Sequence, residues 1–130
     1  MTAGPEREPS AEPGSEPVSL EDFHRLRILA GRVVDASPLT EARNPALRLR
    51  IDFGPDVGVL GSSAQVTRRY TAEALVGTRV LALVNLPPLR VAGFRSECLV
   101  LGLVNPEDPG DVVLVRPDDA TDGGVGWRLG

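Results

Sequence analysis

Between Leu47 and Phe53 the chain alternates strictly, with Leu47, Leu49, Ile51 and Phe53 interleaved by Arg48, Arg50 and Asp52. Successive side chains of an extended strand point to opposite faces, so a period of two makes a strand with one face toward a core and one toward solvent. A helix would scatter the same four apolar side chains around its axis. Neighbouring segments obey the same regime. Val80–Val84, Cys98–Leu103 and Val112–Val115 are short apolar runs bounded by turn residues, as expected of strands covered on both sides. Leu26–Ala36 reads as a further strand, bent at Gly31. Two helical segments interrupt this pattern. Ser19, with Asp22 three residues on, caps a short helix near Leu20–Arg25, and Thr71 caps a turn over Ala72–Val76 that Gly77 ends. The Gly58-x-x-Gly61-Ser62-Ser63 cluster reads as a tight turn between strands. Five or so short strands with one interposed helical segment suit an all-β, five-stranded Greek-key barrel, and spacing alone fits a small sandwich nearly as well.

At 130 residues the chain is read as one domain. An ordered part of about 110 residues buries roughly two-thirds of its unfolded surface, enough for one core. Residues 1–18 are expected to form a disordered acidic tail. They carry Pro5, Pro9, Pro13 and Pro17 with Glu6, Glu8, Glu12 and Glu16 between them, and offer almost nothing to bury. Residues 19–130 are then the folded domain. Cys98 is the single cysteine and lies in an apolar run, so no disulfide framework is expected and the protein is read as cytoplasmic. No apolar stretch approaches the roughly 20 residues of a membrane helix, so no membrane insertion is expected.

All 14 basic residues are arginine. Without lysine, neither a P-loop nor a Schiff-base enzyme can be built. His24 is the only histidine, and one histidine with one cysteine cannot supply the four ligands of a structural zinc site, so neither metal nor other cofactor is expected. A Cys98–His24 nucleophilic pair is conceivable, but a cysteine inside an apolar strand reads as an inert core residue. Asp118-Asp119, beside Pro117, reads as a solvated turn rather than a pair of catalytic acids. The chain is therefore read as a non-enzyme.

The net charge of −4 conceals a strong asymmetry. From Arg25 to Arg95 there are eleven arginines against five acids, a balance of +6. From Ser96 to Gly130 there are two arginines against seven acids, a balance of −5. A basic face can still form on folding, and arginine suits planar, bidentate contact with phosphate. The stretch Asn85–Gly102, NLPPLRVAGFRSECLVLG, is a natural place for it: a Pro-Pro break, two arginines and a glycine turn form a rigid basic loop between apolar strands.

Taken with Ser62–Asn85, this stretch closely resembles the tRNA-binding OB-fold family. That family includes the C-terminal domain of some bacterial methionyl-tRNA synthetases, free-standing tRNA-binding proteins, and CsaA-type secretion chaperones, the nearest branch. The motifs that carry the resemblance are Ala46–Gly54 (ALRLRIDFG), Ser62–Thr67 (SSAQVT) and Ala92–Glu97 (AGFRSE), within a similarity running from about Ser19 to Gly130. The resemblance implies an OB barrel with short N-terminal and interposed helices and a C-terminal extension. It also implies a homodimer paired through the N-terminal helix and the C-terminal region around Trp127. Matching positions point to RNA contacts at Ser62, Ser63, Gln65, Arg68, Arg69, Asn85, Arg90, Arg95, Ser96 and Glu97. Arginines would grip phosphates, while Asn85, Ser96 and Glu97 would meet base or ribose edges. Leu89 stands where relatives often have a second basic residue beside Arg90. Aromatics near this face are few, Tyr70 and Phe94, so shape and phosphate recognition fit better than base stacking. Leu86, Pro87, Pro88, Leu89, Val91 and Phe94 make an apolar loop where an unfolded preprotein would bind. The implied function is a tRNA-binding, dimeric chaperone with tRNA or other structured RNA as partner. The alternative is a preprotein-binding export chaperone whose RNA binding is vestigial.

Overall fold

The computed structural model describes residues 14–118 and 124–130. Residues 1–13 of the expected acidic tail, and Asp119 of the Asp118-Asp119 pair, lie outside the described residues. In chain order the elements are α1 (Leu20–His24), β1 (Ile28–Pro38), β2 (Leu47–Asp52), β3 (Val59–Ala64), α2 (Ala72–Leu75), β4 (Arg79–Leu83), β5 (Leu89–Val91), β6 (Phe94–Ser96), β7 (Leu99–Val100), β8 (Gly102–Asn105) and β9 (Asp108–Leu114). A five-stranded antiparallel sheet runs in the order β3-β2-β1-β4-β7, and β5–β6 and β8–β9 are separate hairpins. This is the expected OB-type barrel.

The alternation in β2 does what its period demands. Leu47, Leu49, Ile51 and Phe53 are buried, and Arg48 and Arg50 are exposed. Leu75 of α2, fully buried, packs into the same core with Val33 and Val80. Both helix caps form as read: Ser19 Oγ accepts from Asp22 N at 3.0 Å and Thr71 Oγ1 from Ala74 N at 3.2 Å. Gly77 adopts φ +91°, a conformation that costs glycine little.

Strand β1 belongs to both halves of the barrel. Residues Arg32–Pro38 pair with β2, and Ile28–Arg32 pair with β4. The bend expected at Gly31 falls instead at a register shift between Val33 and Asp35. There the exit of α2 supplies partners: Gly77 N donates to Val33 O at 2.8 Å, and Val33 N to Thr78 O at 2.9 Å. Gly31 has a different task. A Cβ at that position would lie 2.6 Å from Ile51 Cγ2 and 2.7 Å from the Phe53 ring, so only glycine lets these two core side chains cross β1.

The barrel closes at β3, whose outer edge has no partner strand. Residues Ser96–Cys98 take that place. Glu97 N donates to Gly61 O at 2.8 Å, Gly61 N donates to Glu97 Oε1 at 3.0 Å, and Ser63 N donates to Ser96 Oγ at 3.0 Å. Ser62, fully buried, donates through Oγ to Cys98 O at 2.9 Å. The Gly61-Ser62-Ser63 segment is therefore a strand and not the expected turn; only Gly58, at φ +82°, turns the chain. Its small polar residues hide the strand because they are matched to this seam rather than to an apolar layer.

The apolar runs are not all covered on both sides. Leu99, Leu103, Val104 and Val113 present exposed side chains, and the Cys98–Leu103 run splits into β7 and β8 around Leu101. The C-terminal segment runs along β1, with Ala30 N donating to Trp127 O at 3.0 Å and Leu129 N to Ile28 O at 2.8 Å. Trp127 itself is 73% exposed.

Two outcomes follow for the seam. Gly61→Ala would set a methyl 2.8 Å from Phe94 Cζ and 2.9 Å from the Arg95 carbonyl oxygen. We expect a loss of about 1–3 kcal/mol, measured as a lower urea midpoint at unchanged slope. Burial pushes the Cys98 thiol up to about 12. Alkylation of the native protein at pH 8 should then be slow and track global unfolding, whereas rapid labelling of folded protein would show that the seam opens locally.

Candidate nucleic-acid interface

The β5–β6 hairpin turns at Ala92 and Gly93, with φ +50° and +82°. These two positive values are those of a type I′ turn, the connection that matches strand twist in a tight hairpin. The hairpin lies on the outer face of β2 and β3, where Phe94 packs over Gly61 and Arg48 sits 5.6 Å from the Phe94 ring centroid. The turn brings Arg90 directly opposite Arg95. Like charges facing each other across two strands repel, so the hairpin creates a local demand for an anion.

Between this hairpin and β2 lies a groove of about 500 Å³. Arg48, Arg50, Arg90 and Arg95 line it, with Glu41 and Glu97 as its acids and Ala92, Gly93 and Phe94 as its floor and rim. Arg95 is partly satisfied by Glu97 Oε2 at 3.4 Å, and Arg90 donates to the Gly93 carbonyl at 3.1 Å. Arg48 donates through Nε to Ser37 Oγ at 3.2 Å, and four guanidinium groups around one largely polar groove are an arrangement suited to phosphate oxygens. Arg48 and Arg50 were not singled out in the sequence as ligand contacts. The signal was present, since the alternation already put both on the outer face, but nothing local says that the hairpin folds over that face.

The other expected contacts are dispersed. Ser62 is buried in the seam and cannot reach a ligand, which corrects its place among the RNA contacts. Ser63 is half-buried, and Ser96 and Glu97 spend acceptor atoms on β3 backbone amides. Asn85 pins strand ends: its Oδ1 accepts from Arg27 N at 2.9 Å and its Nδ2 donates to Arg25 O at 2.8 Å. Gln65 is exposed and, with Arg68, lines a separate groove of about 360 Å³. Arg68 pairs with Asp108, and Arg69 holds Asp111 through both Nε and its terminal nitrogen, the latter at 3.0 Å from Oδ2. Those bonds, with one from Asn105, hold the Asp111 carboxyl down to about 2 and push Arg69 further up. The folded carboxyl lies below its ordinary value, so the pair persists from neutrality down through the ordinary carboxylate range and is lost only as pH falls toward 2. In the expected peptide loop, Leu86, Pro87, Pro88 and Leu89 are exposed, while Val91 and Phe94 are half-buried and Phe94 faces the barrel.

Cys98 is buried with a raised pKa, and the main-chain carbonyl of His24 accepts from Arg128. Among the described residues no group of three or more His, Cys, Asp or Glu is placed to hold a metal ion, and no helix is long and apolar enough to cross a membrane.

Residues 28–125 match the family described as "Putative tRNA binding domain". The chain is 34% identical over 114 residues to the methionine–tRNA ligase of Flavobacterium johnsoniae, covering 87% of this chain and 15% of that enzyme. To the methionine–tRNA ligase of Archaeoglobus fulgidus it is 32% identical over 110 residues, covering 85% and 16%. The chain thus spans only a small part of the length of these relatives. Among solved structures it is similar to the chaperone CsaA of Bacillus anthracis, at 47% identity and a TM-score of 0.79, covering 88% of this chain and 100% of the other. The CsaA chaperone protein of Picrophilus torridus gives 34% identity and a TM-score of 0.78 with the same coverage. A barrel closed in this way, matched along its length by these proteins, belongs to the tRNA-binding domain family of OB-fold proteins, within its CsaA-type branch.

Proposed function

We propose that this chain is a non-enzymatic, cytoplasmic tRNA-binding protein that works as a dimeric chaperone. RNA is held by its phosphates in the groove between β2 and the β5–β6 hairpin. The observation that carries this reading is the convergence of Arg48, Arg50, Arg90 and Arg95 on one groove, two of them directly opposed across the hairpin. Four cations from two separate stretches of chain form a surface on which the phosphates of a folded RNA replace mutual repulsion by charge-assisted bonds. Apart from the half-buried Phe94 the groove has no aromatic platform, so shape and backbone rather than base stacking select the ligand.

A second reading, binding of unfolded preproteins, has its own support. Leu86 and Leu89 are exposed beside Pro87 and Pro88 on the stretch that leads into Arg90, an apolar surface on which an extended segment would lie. Self-association is favoured by α1, which buries none of its residues, and by Leu20 and Trp127, both at least 70% exposed in the single chain. A second copy would cover these surfaces.

The RNA reading is tested by titrating tRNA across a salt series. Replacing Arg48, Arg50 and Arg90 by Gln should weaken binding of many tRNAs alike and flatten the log–log slope by roughly 0.7 to 0.9 per lost contact. Unchanged affinity and slope in the folded triple variant would remove the RNA site from this groove. The peptide reading is tested separately by Leu86→Ser with Leu89→Ser. This pair should abolish suppression of client aggregation while leaving tRNA affinity in place, and a double variant that still suppresses aggregation would exclude the loop. For the dimer, sedimentation at micromolar concentration should give twice the chain mass, with blue-shifted Trp127 emission. A monomer with the emission of an exposed indole would contradict it.

A further inference from the structure

Two ion pairs join α2's approach to the β8–β9 hairpin. Arg68, Arg69 and Asp108 are about half exposed, with side-chain accessibilities of 55%, 52% and 47%, whereas Asp111 is 19% exposed. An exposed pair such as Arg68–Asp108 contributes little to folding, and the bidentate Arg69–Asp111 pair contributes more. Their geometry is nevertheless specific. Asp111 is gripped at both oxygens by Arg69, and Asn105 Nδ2 donates to the same carboxylate at 3.2 Å, fixing it before any partner arrives. Gly110 leaves room for Arg68 to lie flat on the hairpin, since a Cβ there would sit 2.8 Å from its guanidinium. Asn105 also accepts from Glu107 N at 2.9 Å, shaping the turn that presents Asp108. A carboxylate held by an arginine fork occupies the position that two phosphate oxygens would take.

We propose that Asp108 and Asp111 are built-in phosphate mimics that cover a second RNA-backbone site at Arg68 and Arg69, and so limit the protein's affinity for RNA. The inference rests on the phosphate-binding reading of the neighbouring groove and adds to it the residues that set the strength of binding. The covered site has the parts of a backbone contact. Gln65 and Thr67 stand beside Arg68 in an open groove of about 360 Å³, and the arginines' outer faces are accessible. RNA that displaces the carboxylates exchanges one charge-assisted bond for another, so the net gain per arginine is small. RNA that does not reach them gains nothing from these arginines. Affinity is thereby held below what the chain's arginine content would deliver, a property suited to a protein that must release its ligand.

The test uses the full chain and bulk deacylated tRNA, titrated between 50 and 200 mM KCl. Asp108→Asn with Asp111→Asn should tighten binding and steepen the log–log salt slope by about 1.4 to 1.8, two phosphate contacts' worth, so that the gain shrinks roughly tenfold across this range. Adding Arg68→Gln and Arg69→Gln to that variant should erase the gain. A control of equal charge change, Glu16→Gln with Asp56→Asn, should leave the slope at its wild-type value. No gain, a gain that survives loss of the two arginines, or an equal gain in the control would each overturn the proposal. If the Asp variant does not fold, Arg68→Gln with Arg69→Gln in the wild-type background decides the matter. Covered arginines predict a slope close to wild type, whereas a loss of about 1.4 to 1.8 would mean that they already engage phosphate. Because the groove reading is tested at Arg48, Arg50 and Arg90, its failure and the failure of this proposal give different results.

Discussion

The structure depends on how the open edge of β3 is satisfied. A five-stranded sheet curled this tightly has two edges, and each unpaired backbone amide or carbonyl left inside would cost about as much as a lost hydrogen bond. Here three residues, Ser96–Cys98, running on from the end of β6, take the place of a partner strand. Its main chain meets the Gly61 carbonyl, while the Ser96 and Glu97 side chains accept from the amides of Ser63 and Gly61. Ser62 closes the inside through the Cys98 carbonyl. Side chains serve because the chain is turning there from the hairpin toward β7 and has no length for a regular ladder.

Barrel closure and groove geometry are consequently one constraint. The residues that seal the seam follow immediately on Arg95, and the glycine that receives their bonds is the one over which Phe94 packs. Fixing the seam fixes the hairpin, which sets Arg90 and Arg95 above Arg48 and Arg50. A groove whose walls are tied to the barrel's own hydrogen bonds presents its charges with little freedom left to lose on binding.

The six arginines in and beside the two grooves fall into two populations. Those of the groove are crowded by like charge, while Arg68 and Arg69 are matched to carboxylates from the acidic C-terminal part of the chain. The charge asymmetry visible along the sequence is thus used twice. Part of it survives as a basic surface despite a net charge of −4, and part is cancelled where the two regions meet.

What the sequence by itself determined rests on near neighbours: the alternation that orients β2, the caps at Ser19 and Thr71, the stop at Gly77 and the basic loop between its apolar flanks. Its motifs also carried the family resemblance. What only the tertiary structure decided was the task of each polar side chain. Ser62 looks like a ligand contact and instead holds the Cys98 carbonyl 36 residues away, Asn85 is engaged with backbone groups of Arg27 and Arg25, and Gly31 looks like a bend and instead clears space for Ile51 and Phe53. The β3 strand was hidden for the same reason, since its Gly-Ser-Ser centre carries no apolar period until the hairpin is folded onto it. Periods and caps are written within one turn or one strand, where covalent geometry dictates the answer. A hydrogen-bond partner or an ion pair is settled only when distant segments share a surface, and no local pattern encodes which ones will.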